Sequence, residues 1–219
     1  VEWDHLPSKA CFDGKVWPDG FVFPVCFSCN HATSNDEQII AALARSDSGP
    51  DAPVDQKELQ KYLSGGSNND PALFRTLLTR VVEELPDGRE LVEMGEGVRE
   101  VFRRVLPKWA RAFHYLETRE ILPLEQRIYG GHFTVPDLEQ GRGPGDLINI
   151  CEPRRTFSGA KDLGPQFGYA KQASPDGNLF SYIVVFRRSV GAWMMFNKND
   201  AERMDEAALY SLLPPVRKL

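Results

Sequence analysis

Cysteine is scarce in this chain: there are four in 219 residues, and Cys26 and Cys29 form a single Cys-x-x-Cys. That pattern excludes the disulfide framework of a small secreted domain and leaves a metal or free-thiol role for the pair. Long apolar runs are also missing. None approaches the ~18 residues needed to cross a bilayer, and the opening VEWDHLPSK has neither the basic start nor the apolar stretch of a signal peptide. No membrane partner and a cytoplasmic location are therefore expected. Positive charge is not in excess. A formal net charge of −5 excludes a protein that coats nucleic acid nonspecifically, because Lys and Arg supply most of that binding free energy, so any contact with DNA needs a local basic face. Internal repeats and low-complexity segments are absent too.

What is present, 42% hydrophobic and 26% charged residues, is the composition of a folded chain of one or two domains. Residues 20–27, GFVFPVCF, read as a short edge strand leading into the cysteine pair. Ser34 and Glu37 have capping-box spacing, which predicts a helix starting near Asn35. The breaker SDSGPDAPV over 46–54 is the best linker. Two helices are predicted after it, Asp55–Leu63, stopped by SGGSNND, and Asp70–Leu85, with an Asp N-cap, Pro at the first helical position and apolar residues at helical spacing. A longer amphipathic helix covers about Glu96–Glu117, with a kink predicted at Pro107. The pattern then changes to strands: RIYGGHFTV, DLINICEP, FGYAKQA, and a hairpin of LFSYIVVFRR and AWMMFN. A last short helix is expected at DEAALYSLL. The fold class that follows is α+β: a small ββα module over about 1–45, a linker and helical region over 46–94, and a C-terminal helix with antiparallel strands over 95–219.

One constellation carries chemistry. Asp4–His5, with Pro7 two residues on, precedes Cys26-x-x-Cys29, and Asn30 follows the second cysteine at once. This order resembles the HNH endonuclease family, ββα-metal nucleases whose site is braced by a zinc ribbon. Less specific similarity extends over ATSNDEQII, YLETREILP and the final aromatic strand pair. The resemblance implies cleavage of DNA phosphodiester bonds, with Asp4 and the amide oxygen of Asn30 as hard ligands for Mg²⁺ or Mn²⁺, His5 as general base, and Cys26 and Cys29 as zinc ligands. Those residue types suit the reaction. A divalent ion neutralises charge building on the phosphate, and an imidazole titrating near neutral pH can take a proton from water.

The chain also departs from the family. Members normally carry a first Cys-x-x-Cys before the Asp-His pair, completing four thiolates for Zn²⁺. Here three residues precede Asp4, and the chain opens on Val1 rather than Met, so the missing half is expected upstream. Nothing in the spacing of Cys11 makes it a third zinc ligand. The asparagine that often orients the base has no counterpart closer than Asp19. The alternative reading is a degenerate, non-catalytic HNH-derived module that binds nucleic acid or a partner.

Arg99, Arg103, Arg104, Lys108 and Arg111 form a basic stripe on the long helix. Such a stripe is ordinarily a solvated face; in a nuclease it is the natural track for a phosphate backbone, with Arg154, Arg155, Arg187 and Arg188 extending it. His31 reads as a surface histidine, His114 and His132 as structural or exposed, Cys151 as a small buried side chain, and Tyr182, Phe186, Trp193 and Phe196 as hairpin core.

Overall fold

The computed structural model describes residues 2–45, 56–84, 90–134, 152–154, 163, 166–187 and 189–199. The N-terminal module consists of β1 (Glu2–His5), two short 3₁₀ turns, β2 (Val22–Val25), α1 (Phe27–Ala32) and α2 (Ser34–Leu43). Next come α3 (Gln56–Asn69), α4 (Pro71–Arg75), β3 (Leu78–Glu84) and β4 (Glu90–Met94), then α5 (Glu96–Thr118). The remaining strands are β5 (Tyr129–Thr134), β6 (Glu152–Arg154), β7 (Phe167–Ala173), β8 (Leu179–Phe186) and β9 (Val190–Asn197). The α+β class expected from the sequence is present. Among the described residues no helix is long and apolar enough to cross a membrane.

Among the described residues all strand pairs are antiparallel: β1 with β2, β3 with β4, and a five-stranded sheet in the order β5-β9-β8-β7-β6. The sheet forms because β8 and β9 alternate. Phe180, Tyr182, Val184 and Phe186, with Val190, Ala192, Met194 and Phe196, face α5. Ile183 and Met195 pack with Phe133 in a smaller cluster. The apolar stripe of α5, from Val98 through Val105 and Trp109 to Phe113, covers the larger face. Leu6, Phe12, Phe21 and Phe23 belong to that same buried cluster. Phe21 lies edge-on to Phe113, Phe167 and Tyr169, with ring centroids 6.1, 5.6 and 5.7 Å away.

Several local expectations are corrected. The segment predicted as one helix from Asp70 to Leu85 divides into α4 and β3. Apolar residues at helical spacing also include the β-branched Val81 and Val82, and antiparallel pairing with β4, Val81 opposite Val92, decides for the strand. Helix α3 does not stop at SGGSNND but continues to Asn69, with Gly65 lying against the Gln38 side chain of α2. Packing there outweighs a helix penalty of roughly 1 kcal/mol per glycine. The helix expected to start near Asn35 is present as α2, from Ser34, but a short unexpected helix, α1, precedes it from Phe27, where the Cys26 Sγ caps it by accepting from the Cys29 amide at 3.2 Å. The Ser34–Glu37 box is not formed: the Ser34 hydroxyl turns back to the His31 carbonyl, and the Glu37 carboxylate is used elsewhere. Helix α5 includes Pro107 within its length, as expected, and is capped by Arg119 in the left-handed region. The linker proposed at 46–54, Cys151, Arg155, Arg188 and the tail DEAALYSLL lie outside the described residues.

Candidate functional site

Asp4 and His5 stand at the end of β1, opposite Phe23 and Val22 of β2. Side chains alternate along a strand, so Glu2 and Asp4 leave one face and Trp3 and His5 the other. On the first face, α1 presents Asn30. Its amide Nδ2 donates to Glu2 Oε2 at 2.9 Å, which turns the amide oxygen toward the neighbouring α5. There the ammonium of Lys108 meets Asp4 Oδ2 at 2.6 Å, Glu37 Oε1 at 2.8 Å, Thr33 Oγ1 at 3.0 Å and Asn30 Oδ1 at 3.5 Å. The two side chains assigned as metal ligands are thus brought to one cation, and that cation is a lysine.

The cluster is nearly closed to solvent. The side chains of Lys108, Asp4 and Glu37 are 10, 15 and 9% exposed. Burial raises the Glu37 pKa more than Lys108 lowers it. For Lys108 itself, burial pulls the pKa down, but Glu37 and Asp4 pull it further up, so the group is held above its ordinary value and stays charged. Beside this cluster, Arg104 makes a bidentate pair with the buried Asp36, at 2.7 and 2.9 Å. Together these two pairs tie α2 to α5.

His5 faces away from that cluster. Its ring sits edge-on to Trp17, with centroids 4.4 Å apart, and Lys9 lies over the same indole at 3.7 Å. Burial first, and then Lys9, lower its pKa, so it is neutral at pH 7. Its backbone N–H donates to Asp4 Oδ1 at 2.8 Å.

The other assigned residues divide by role. Arg99 and Arg103 are exposed and paired with Glu96 and Glu100 on their own helix, at 3.6 and 2.7 Å. Arg111 donates to the carbonyls of Pro107, Pro123 and Leu124, pinning the chain that follows α5. Arg187, expected to extend a basic surface, is instead buried and paired with Asp13 at 2.6 Å, because the chain turns at this residue in the left-handed region (φ 51°). His31 is exposed, against Phe27 and 4.0 Å from Glu2. His114 and His132 are structural, the first buried and the second stacked on Phe102 at 5.0 Å.

Cys26 and Cys29 are exposed free thiols at the start of α1. Hydrogen bonds from the Cys29 thiol, the Ser28 hydroxyl and the Cys29 amide bring Cys26 down to about 7, while Cys29 is raised. A structural zinc needs four such ligands, and this pair amounts to two. Cys11 is no third ligand: it is buried in the core, and burial pushes its thiol up to about 12. Among the described residues no three His, Cys, Asp or Glu side chains are grouped so as to hold a metal. The pair by itself does not fit a closed zinc site. For a hard divalent ion the donors do fit in kind, since Asp4, Asn30, Thr33 and Glu37 present only oxygen to a common point.

Glu2, Thr33 and Glu37 were missed by sequence reasoning, although a signal existed. Thr33 and Glu37 follow Asn30 at i+3 and i+7, one helical face, and Glu2 precedes Asp4 by one strand period. Comparison of the chain with protein-family models, with curated proteins and with solved structures gives no match.

Proposed function

We propose that this protein is a metal-dependent endonuclease of the HNH type, hydrolysing DNA phosphodiester bonds with His5 as general base. One observation carries the reading: strand, strand and helix of the N-terminal module bring the Asp4 carboxylate and the Asn30 amide oxygen to a single cation. Asp4 and Asn30 would hold Mg²⁺ or Mn²⁺, with Glu2 keeping the amide oxygen turned inward. A divalent ion there stabilises the charge that builds on the phosphate and on the leaving oxygen. His5, neutral and half-buried at the edge of the module, accepts the proton of the attacking water once its ring turns from Trp17 toward the Asp4–Asn30 site. Arg99 and Arg103, paired only with carboxylates of their own helix, are the exposed residues of the α5 stripe most open to a phosphate backbone, Arg104 being exposed but bound to Asp36.

A plasmid-nicking assay with Mg²⁺ or Mn²⁺ tests this. Cleavage is expected, and His5→Ala is expected to lower it by roughly 10²–10⁴-fold, the usual contribution of a general base, with circular dichroism unchanged. A second reading, a non-catalytic HNH-derived module that binds nucleic acid or a partner, is favoured by the lysine ammonium at the cation position and by the turn of His5 toward Trp17. Plasmid left intact under every divalent metal, while DNA is still bound, selects that reading.

A further inference from the structure

Lys108 belongs to α5, far along the chain from the module whose oxygens it joins. Those oxygens come from β1 (Asp4), α1 (Asn30), the α1–α2 junction (Thr33) and α2 (Glu37), and two of them carry full charge. With the ammonium the cluster has a formal charge of −1; without it, two carboxylates share a nearly closed pocket. Leaving a buried charge without its partner is strongly unfavourable, so whatever displaces the ammonium must bring positive charge of its own. The Asn30 amide does not depend on Lys108 for its orientation, because Glu2 fixes its other end at 2.9 Å. Lysine is a point charge on a flexible four-carbon stem, able to leave a site without moving the helix that bears it.

We infer that Lys108 is a built-in competitor for the divalent cation, an ammonium plug that holds the Asp4–Asn30–Glu37 oxygens together and must swing out before a metal ion enters. The inference rests on the proposed nuclease reading for the choice of ion, and it adds regulation to that site. Metal and ammonium exclude each other, so divalent binding to the resting protein is weak. An incoming phosphodiester favours loading, because its anionic oxygens offer the displaced ammonium a new partner.

Mn²⁺ titration of the full chain without nucleic acid, followed by electron paramagnetic resonance of the free ion, tests the plug separately from catalysis. Lys108→Met, which keeps most of the buried stem, is expected to bind Mn²⁺ at least tenfold more tightly than wild type, and adding Asp4→Asn is expected to abolish the gain. Equal affinity in wild type and Lys108→Met, or a gain that survives Asp4→Asn, overturns the inference. If Lys108→Met does not fold in buffer alone, refolding with Mn²⁺ gives the answer: recovery supports the plug and failure to recover overturns it. A tenfold gain in a protein that never nicks DNA leaves the plug standing and removes the nuclease.

Discussion

His114 lies on the inner face of α5 with its ring between Phe180 and Phe196, at centroid distances of 4.9 and 5.2 Å. Its nitrogens reach the Tyr182 hydroxyl at 3.4 Å and the Thr118 hydroxyl at 3.3 Å, with Glu120 3.6 Å away. Burial, and then the nearby Lys198, disfavour the imidazolium more than Glu120 favours it, so the folded pKa is below the ordinary 6.5. The unfolded chain therefore takes up this proton first. The stabilising contribution is complete above about pH 6.5 and is lost as pH falls through the folded value. Thermal melts at pH 7.5 and 5.5 are expected to show a larger fall in midpoint for wild type than for His114→Gln; equal falls would remove His114 from the account. Lys108 and Arg104 teach the complementary point about single side chains. Both were legible as members of a basic stripe, but Lys108 is an internal clamp on Glu37, and Arg104, though exposed, is committed to the buried Asp36. Charge type is written in the sequence, whereas the partner that meets a charge is not.

The β8–β9 hairpin and α5 were readable because each carries its own periodicity, two in the strands and 3.6 in the helix. Within β9, Gly191 illustrates a constraint that periodicity does not express. A Cβ built on it would lie 2.3 Å from the Phe133 ring of β5 and 2.7 Å from the Val184 carbonyl of β8. Strand β9, between β5 and β8, accepts only hydrogen at that point. Gly191→Ala is expected to cost about 1–3 kcal/mol, the usual range for overpacking, read as a lower urea midpoint. Gly168→Ala on β7 is the matched control: its added carbon would meet Val185 at an ordinary 3.8 Å, and the midpoint is expected to stay close to wild type. The failed helix at Asp70–Leu85 belongs with these cases. Its local pattern admitted two answers, and a separate strand, β4, chose between them.

One buried cluster joins residues from Leu6 to Phe196, crossing the N-terminal module, α5 and the five-stranded sheet. Phe21, only 1% exposed, is the clearest bridge, in ring contact with α5 and β7. Arg45 anchors the same region. It is fully buried, with its guanidinium donating to the carbonyls of Ala10, Ala41 and Phe12. Phe21→Ala is accordingly expected to destabilise the whole chain by about 3–5 kcal/mol. Far-UV circular dichroism and tryptophan fluorescence should move together to one lower midpoint. A variant in which the two signals separate would mean that the module and the sheet unfold independently.

The amino-acid sequence by itself determined the α+β class, the long amphipathic helix and the final hairpin, because each rests on neighbours in the chain, whereas Asp4 and Asn30 were named together only through their resemblance to the HNH motif. Only the tertiary structure decided that 78–84 is a strand, that Arg187 is buried, and that the cation between Asp4 and Asn30 is the ammonium of Lys108. Each of those outcomes depends on which distant segment arrives opposite, and the free energy that settles it, strand pairing, desolvation or charge compensation, exists only once the two segments have met.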